Sequence, residues 1–223
     1  MPDNTQQDPW RLRIRFGKQG ALRYTGHLDL HKLLERTIRR AKLPLLHSQG
    51  FHPQPKIQIA SALPLGYTSQ AEIIDIWLKR TSDQLDLAEI QSSLQMAAPP
   101  GLEFYEAEIV DLRGKALQIL VRAAEYQVTL IDLQDDPTLP GKLAALLEAE
   151  TIPRTRRKKA YDLRPLIEAL QIFAPDEQGH PRFFLRLTNR EGATGRVEEV
   201  LDEMQIPLES ARIVRTSLIF GQA

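Results

Sequence analysis

Residues 10–16 read Trp-Arg-Leu-Arg-Ile-Arg-Phe, and apolar and basic side chains alternate along the whole stretch. Alternation with a period of two is typical of a β-strand that buries one face and exposes the other. We therefore predict that this stretch is a strand. Its apolar side chains would enter the core, and Arg11, Arg13 and Arg15 would project from the open face of a sheet.

The segments after this strand predict the same order of strands and helices twice along the chain. A helix over 27–41, strands over 56–61 and 72–79, a second helix and a strand over 102–112 give the order βαββαβ, and the same order returns over 126–220. Helices on one side of an antiparallel sheet form the ferredoxin-like arrangement. The sequence therefore predicts an α+β fold of two tandem ferredoxin-like domains with antiparallel sheets.

The domain boundaries follow from this order of elements. We divide the chain into a flexible tail (1–9), a first domain with a basic helix and a loop rich in His and Pro (10–112), a linker (113–122) and a second domain (123–223). The second domain contains a strongly basic strand, predicted over 152–160. No sequence repeat relates the two halves, so the duplication rests on element order alone.

The composition excludes several classes of function. The chain of 223 residues contains no cysteine, which excludes disulfides, thiolate zinc sites, cysteine-ligated iron–sulfur clusters and cysteine nucleophiles. Its 29 basic and 29 acidic residues cancel, which excludes a wholly basic nucleic-acid coat protein. No apolar run approaches the roughly 20 residues of a membrane span. We expect a cytoplasmic protein that has no membrane partner and needs no metal or other cofactor.

The zero net charge hides a strong asymmetry. Residues 10–60 hold eleven basic and two acidic side chains, whereas residues 61–112 hold two basic and nine acidic ones. A second basic cluster occupies 154–159, with five basic residues out of six. A polyanion responds to such local patches rather than to the total charge. The sequence leaves open whether the acidic stretch folds back on the basic one.

These clusters predict a surface that binds a polyanion or a partner protein. The residues expected to form it are Arg11, Arg13, Arg15, Arg36, Arg39, Arg40, His47, His52, Lys56, Arg154, Arg156, Arg157, Lys158 and Lys159. The alternative is that these charges only keep a sheet face soluble or protect a strand edge from aggregation.

The loop 47–56 holds one glycine, two prolines, two histidines and a lysine within ten residues. Prolines stiffen the chain and glycine permits a positive φ, so this composition suits a rigid contact loop. Three functions are open for it: phosphate binding, acid–base cleavage of RNA by Tyr24, His27 or His52 and Lys56, and metal binding by His27 with His31. The metal hypothesis lacks a third ligand. A purely structural role is the fourth alternative, with His27 as a helix cap and the loop histidines bonded to backbone.

A set of spaced residues in this region resembles a known family. The set comprises Tyr24-x-x-His27-Leu28-Asp29, Arg39-Arg40-Ala41-x-Leu43-Pro44, Ser48-x-Gly50-Phe51-x-Pro53-x-Pro55-Lys56 and Leu63-Pro64-x-Gly66. It resembles the radical-SAM-associated domain of unknown function, here in a stand-alone form. That family is encoded beside radical-SAM proteins and often near ribonuclease E/G and ribosomal-protein genes. The resemblance therefore implies a role in RNA metabolism, although a chain without cysteine cannot hold the radical-SAM cluster itself.

The charge pattern and the resemblance together predict a non-catalytic adaptor or regulator in RNA metabolism. It would bind a ribonuclease E/G-type endoribonuclease, or that enzyme's RNA, and so modulate cleavage. One alternative is an RNA-recognition module for a separate radical-SAM enzyme. The other is a metal-independent endoribonuclease, since tandem ferredoxin-like folds are similar in topology to CRISPR repeat-processing endoribonucleases.

Overall fold

Two units make up the part of the chain that the computed structural model describes, residues 8–132 and 137–221. The first unit extends to Leu120 and the second begins at Val121. Residues 1–7 of the predicted tail lie outside the described residues. The segment expected as a linker, 113–122, contains a short helix and the first residues of a strand.

Among its described residues, the first unit contains four strands and three α-helices. They are β1 (Trp10–Lys18), α1 (His27–Arg40), β2 (Ile57–Ile59), β3 (Thr68–Leu78), α2 (Leu87–Ala97), β4 (Leu102–Ile109) and α3 (Leu117–Leu120). The strands pair antiparallel in the order β4–β1–β3–β2. The predicted strand at 10–16 is therefore a central strand, with neighbours on both edges.

The core of the first unit lies between this sheet and the helices α1 and α2. On β1 the alternate residues Leu12, Ile14 and Phe16 are fully buried, as the sequence pattern predicts. They belong to one cluster with Leu34 of α1 and Leu94 of α2. The helix α2 begins directly after Asp86, whose side chain caps it by accepting from the Glu89 amide at 3.0 Å.

The second unit contains seven strands and two helices among its described residues. They are β5 (Val121–Leu130), α4 (Leu139–Glu148), β6 (Pro153–Arg156), β7 (Lys159–Asp162), β8 (Ile167–Phe173), β9 (Arg182–Arg190), β10 (Ala193–Thr194), α5 (Val197–Glu203) and β11 (Ala211–Phe220). Antiparallel pairing gives the order β8–β9–β5–β11, and β10 pairs with the end of β9. Strands β6 and β7 form a separate two-stranded hairpin.

The prediction of one basic strand over 152–160 was wrong. Arg157 and Lys158 have φ angles of 48° and 65°, so the chain reverses there and the two halves of the stretch pair with each other. The protein is an α+β protein whose strands pair mostly antiparallel, which confirms the predicted fold class at that level. Among the described residues, none of the helices is both long enough and apolar enough to cross a membrane.

Candidate nucleic-acid interface

The arginines of β1 do not form the open cationic face that the sequence predicts. Arg11 is 2% exposed, and Asp75 of β3 is completely buried beside it. Nη2 and Nε of Arg11 donate to one carboxylate oxygen of Asp75 at 2.7 and 3.0 Å. Arg13, directly opposite Asp75 in the strand register, donates to both oxygens at 2.9 and 3.0 Å. One buried carboxylate therefore holds two of the predicted binding residues.

Arg11 uses every hydrogen-bond donor of its side chain inside the protein. Besides the two bonds to Asp75, it donates to the backbone oxygens of Asp111, Gly114 and Lys115 at 3.2, 2.8 and 2.8 Å. A guanidinium has five N–H donors, and five bonds are present. The prediction that Arg11 projects into solvent and binds a polyanion was wrong, because it ties residues 111–115 to the sheet.

Arg15 remains partly accessible but is also paired. Its side chain is 42% exposed, donates to Glu106 at 3.0 Å and lies over the ring of Tyr105 at 4.8 Å. Burial and a hydrogen bond to Glu103 raise the pKa of the Tyr105 hydroxyl above its ordinary value. The acidic stretch 61–112 thus supplies the carboxylates that neutralise β1, which answers the question that the sequence left open for this strand.

The cations of α1 have a different environment. Lys32, Arg36, Arg39, Arg40 and, just after the helix, Lys42 are all exposed. The buried face of the helix consists of Leu30, Leu34, Thr37 and Ile38, so the cations occupy the outer side. Within residues 8–132 and 137–221, none of these five side chains forms an ion pair. They are therefore available to an external anion.

The two ends of the loop 47–56 are connected by backbone contacts. His47 and Pro55 form an isolated bridge, and the Ser48 amide donates to the Gln54 oxygen at 2.8 Å. His47 Nδ1 lies 3.2 Å from the Leu45 oxygen, in line with the predicted backbone contact of a loop histidine. The side chains of His47, His52 and Lys56 are exposed. Gly50 adopts a φ of 129°, so the positive φ that the glycine permits is present.

The side chains considered for acid–base cleavage are all exposed. Tyr24 is 64% exposed, and its hydroxyl accepts from Arg23 at 2.6 Å. No hydrogen bond joins any two of Tyr24, His27, His52 and Lys56 in the described part of the chain. No group of three or more His, Cys, Asp or Glu side chains is placed to hold a metal ion in that same part.

The basic cluster 154–159 divides into paired and free residues. Arg154 binds Glu203 of α5, and Arg156 donates to Glu199 at 2.6 and 2.7 Å. Arg157, Lys158 and Lys159 are exposed and form no ion pair with any described residue. Only the tip of the hairpin therefore offers free positive charge.

The Arg156 pair also perturbs its neighbours. Burial alone would lower the pKa of Arg156, yet the hydrogen bond and charge of Glu199 raise it above the ordinary value. Burial, followed by the Glu199 carboxylate, raises the pKa of the Tyr161 hydroxyl as well. The Arg156 guanidinium lies 4.9 Å from the centre of the Tyr161 ring. The base of the hairpin is therefore fixed against α5 while its tip stays open.

Sequence reasoning missed the carboxylates that decide which cations are free. Asp75 could have been noticed, because it is the one charged residue in the otherwise apolar stretch from Ile73 to Leu78. Reading its pairing with Arg11 and Arg13 requires the register of β1 on β3, which a single sequence does not specify. The full exposure of Phe51, at 103%, was also missed, although Phe51 was part of the quoted motif.

Residues 11–199 match the model of a protein family described as "Uncharacterized protein conserved in bacteria (DUF2344)". The chain belongs to this family. The matched range includes α1, the loop 47–56 and the β6–β7 hairpin. The family description names no activity, and the implied association with radical-SAM proteins stays a prediction. Of the eight quoted motif residues Tyr24, His27, Asp29, Gly50, Phe51, Pro53, Pro55 and Lys56, all but Pro55 are exposed.

Proposed function

We propose that this protein is a non-catalytic adaptor in RNA metabolism that binds RNA through the exposed cations of α1. The free tip of the β6–β7 hairpin would add a second contact. A ribonuclease E/G-type endoribonuclease is the partner whose cleavage it would modulate. We also propose that both units are ferredoxin-like. The strand order β4–β1–β3–β2 of the first unit has its counterpart in the order β11–β5–β9–β8 of the second.

One observation supports the RNA proposal above all others: five exposed cations lie within eleven residues, and none is paired within the described chain. Lys32, Arg36 and Arg40 follow each other at intervals of four residues, so they align on one face of α1. At 1.5 Å per residue the row spans about 12 Å. Guanidinium groups bind phosphate through two parallel hydrogen bonds, which makes such a row a suitable track for a phosphate backbone.

The exposed face of the sheet is less suitable for RNA than α1, which supports the choice of the helix. In many domains of this type RNA lies on the sheet, where it needs positive charge and stacking aromatics. Here Asp75 and Glu106 neutralise the arginines of β1. A phosphate approaching that face would compete with carboxylates already in place. The helix offers the same number of arginines without that competition.

The first test measures binding of a fluorescently labelled single-stranded RNA over a range of salt concentrations. We expect the R36Q/R39Q/R40Q variant to lower the affinity at least about tenfold at low salt. We also expect the slope of log affinity against log salt to fall by roughly 2, because each lost phosphate contact on a single strand removes about 0.7.

A matched control removes three cations elsewhere in the same unit. Lys79, Arg113 and Lys115 are exposed and lie outside α1, so the K79Q/R113Q/K115Q variant changes the net charge equally. It should bind RNA nearly as the wild type does. Equal losses in both variants would show that only total charge matters, and an α1 variant that binds normally would refute the proposal.

The partner and the absence of catalysis are tested separately. Wild-type protein should change the rate at which a ribonuclease E/G-type enzyme cleaves the same RNA, and the α1 variant should not. If the protein binds RNA but does not change the cleavage rate, the ribonuclease partner is refuted and the RNA-binding role stands. RNA degraded by the purified protein alone, in chelator, would contradict a non-catalytic role.

A further inference from the structure

Phe51 is the most exposed large apolar side chain of the described residues. Its relative exposure is 103%, compared with 80% for Met96 and 75% for Leu28. Burying a phenylalanine side chain is favourable, so leaving it in water forgoes that stabilisation. A ring held fully in solvent gains this free energy only by contact with something outside the chain.

The loop that carries Phe51 is held in place by backbone hydrogen bonds. At its base the Leu46 amide donates to the Trp77 oxygen at 2.7 Å, and the Lys56 amide donates to the Leu46 oxygen at 2.8 Å. Higher up, the Gln54 amide donates to Ser48 Oγ at 2.9 Å.

Prolines 53 and 55 restrict the returning half of the loop. A braced loop loses little conformational entropy when the ring binds, which favours a preformed contact.

The exposed side chains around Phe51 in the loop are mostly polar. Gln49, His52 and Gln54 are exposed within the same loop, and His47 and Lys56 are exposed at its base. A protein-binding surface normally presents a contiguous apolar patch, and in this loop the other exposed apolar side chain is Pro53. A lone aromatic ring among amides and imidazoles is instead the chemistry that receives an unpaired nucleobase, by stacking on its face and hydrogen bonding to its edge.

We propose that Phe51 stacks on an unpaired base of bound RNA, so that the loop 47–56 selects single-stranded over duplex RNA. This inference rests on the proposed RNA-binding function but uses different atoms. The α1 cations contact phosphates, which both kinds of RNA possess. Phe51 contacts a base face, which is accessible only where bases are unpaired.

The test compares three labelled probes of equal length: a single strand, a duplex of the same sequence and a single strand with abasic residues. We expect Phe51→Leu to weaken single-strand binding about tenfold, since the stacking contact with one base is lost. Binding to the duplex and to the abasic strand should not change, nor should the salt dependence. Phe51→Trp should restore the affinity for the single strand.

Controls separate stacking from loss of structure. Because Phe51 is fully exposed, its variants should melt as the wild type does. Leu65→Ala removes another exposed apolar side chain outside the loop, at 62% exposure, and should leave binding unchanged.

The outcomes distinguish the two proposals. Equal wild-type affinity for the normal and abasic strands, or an F51L variant that binds normally, would refute stacking while RNA binding through α1 stands. A wild type that binds none of the three probes would refute both.

Discussion

The first unit contains two arginine triplets with opposite fates. Arg11, Arg13 and Arg15 on β1 meet Asp75 and Glu106, whereas Arg36, Arg39 and Arg40 on α1 meet no carboxylate of the described residues. Both triplets contribute equally to the charge that a sequence displays. The difference shows that a count of basic residues measures charge present, not charge available to a ligand.

Secondary structure explains the difference. A strand inside a sheet has a partner residue opposite each of its own, so one carboxylate on β3 can serve arginines two positions apart on β1. The outer face of a helix has no such neighbour. The β6–β7 hairpin repeats the contrast within six residues, because Arg154 and Arg156 are paired at its base while Arg157 and Lys158 are free at its tip.

The largest effect on stability is expected when the buried carboxylate of Asp75 is removed. Asp75→Ala leaves Arg11 buried without its counter-charge, and such a loss destabilises a protein by about 3–5 kcal/mol. Urea unfolding measures the change in the free energy of unfolding. Glu106→Ala, which frees the more exposed Arg15, should cost less than about 1 kcal/mol. Similar effects for the two variants would mean that Asp75 is not the central partner.

A second experiment exchanges the hairpin tip for an ideal turn. A two-residue turn with positive φ at both positions favours Asn-Gly. In this hairpin the two turn residues are Arg157 and Lys158. The R157N/K158G variant should therefore gain about 1 kcal/mol in stability. If the tip contacts RNA, the same variant should bind RNA less well. Gain of stability with unchanged RNA binding would remove the hairpin from the proposed interface.

The smallest effect is expected where the charges are free. The R36Q/R39Q/R40Q variant should change the free energy of unfolding by no more than about 0.5 kcal/mol, since these arginines form no ion pair with a described residue and the bond from Arg40 Nη2 to Thr37 Oγ1 is long, at 3.4 Å. Thermal and urea unfolding both report it. A loss of several kcal/mol would show that these arginines stabilise the fold and would confound their use as a test of RNA binding.

Much of the fold could be predicted because local patterns encode it. The period-two pattern of β1 and the leucine spacing of α1 identify their buried faces without any tertiary information. The break of the stretch 152–160 could not be predicted, since Arg157-Lys158 carries none of the Gly or Asn that normally signals such a turn. The burial of Arg11 was missed for a different reason, because its pairing depends on strand register and on backbone from residues 111–115.

The bonds that Arg11 forms restrict which side chains position 11 tolerates. Two guanidinium charges face one carboxylate, and three carbonyl dipoles absorb the excess positive charge. Lysine has one ammonium nitrogen and cannot reach acceptors spread around a planar fork. Gly114 lies close to the same site, because a β-carbon there would lie 3.2 Å from the Asp111 carbonyl oxygen and 3.3 Å from Arg11 Nη1. A side chain at position 114 therefore requires Arg11 and the Asp111 backbone to shift by a few tenths of an ångström, whereas the buried Asp75 carboxylate requires the guanidinium at position 11.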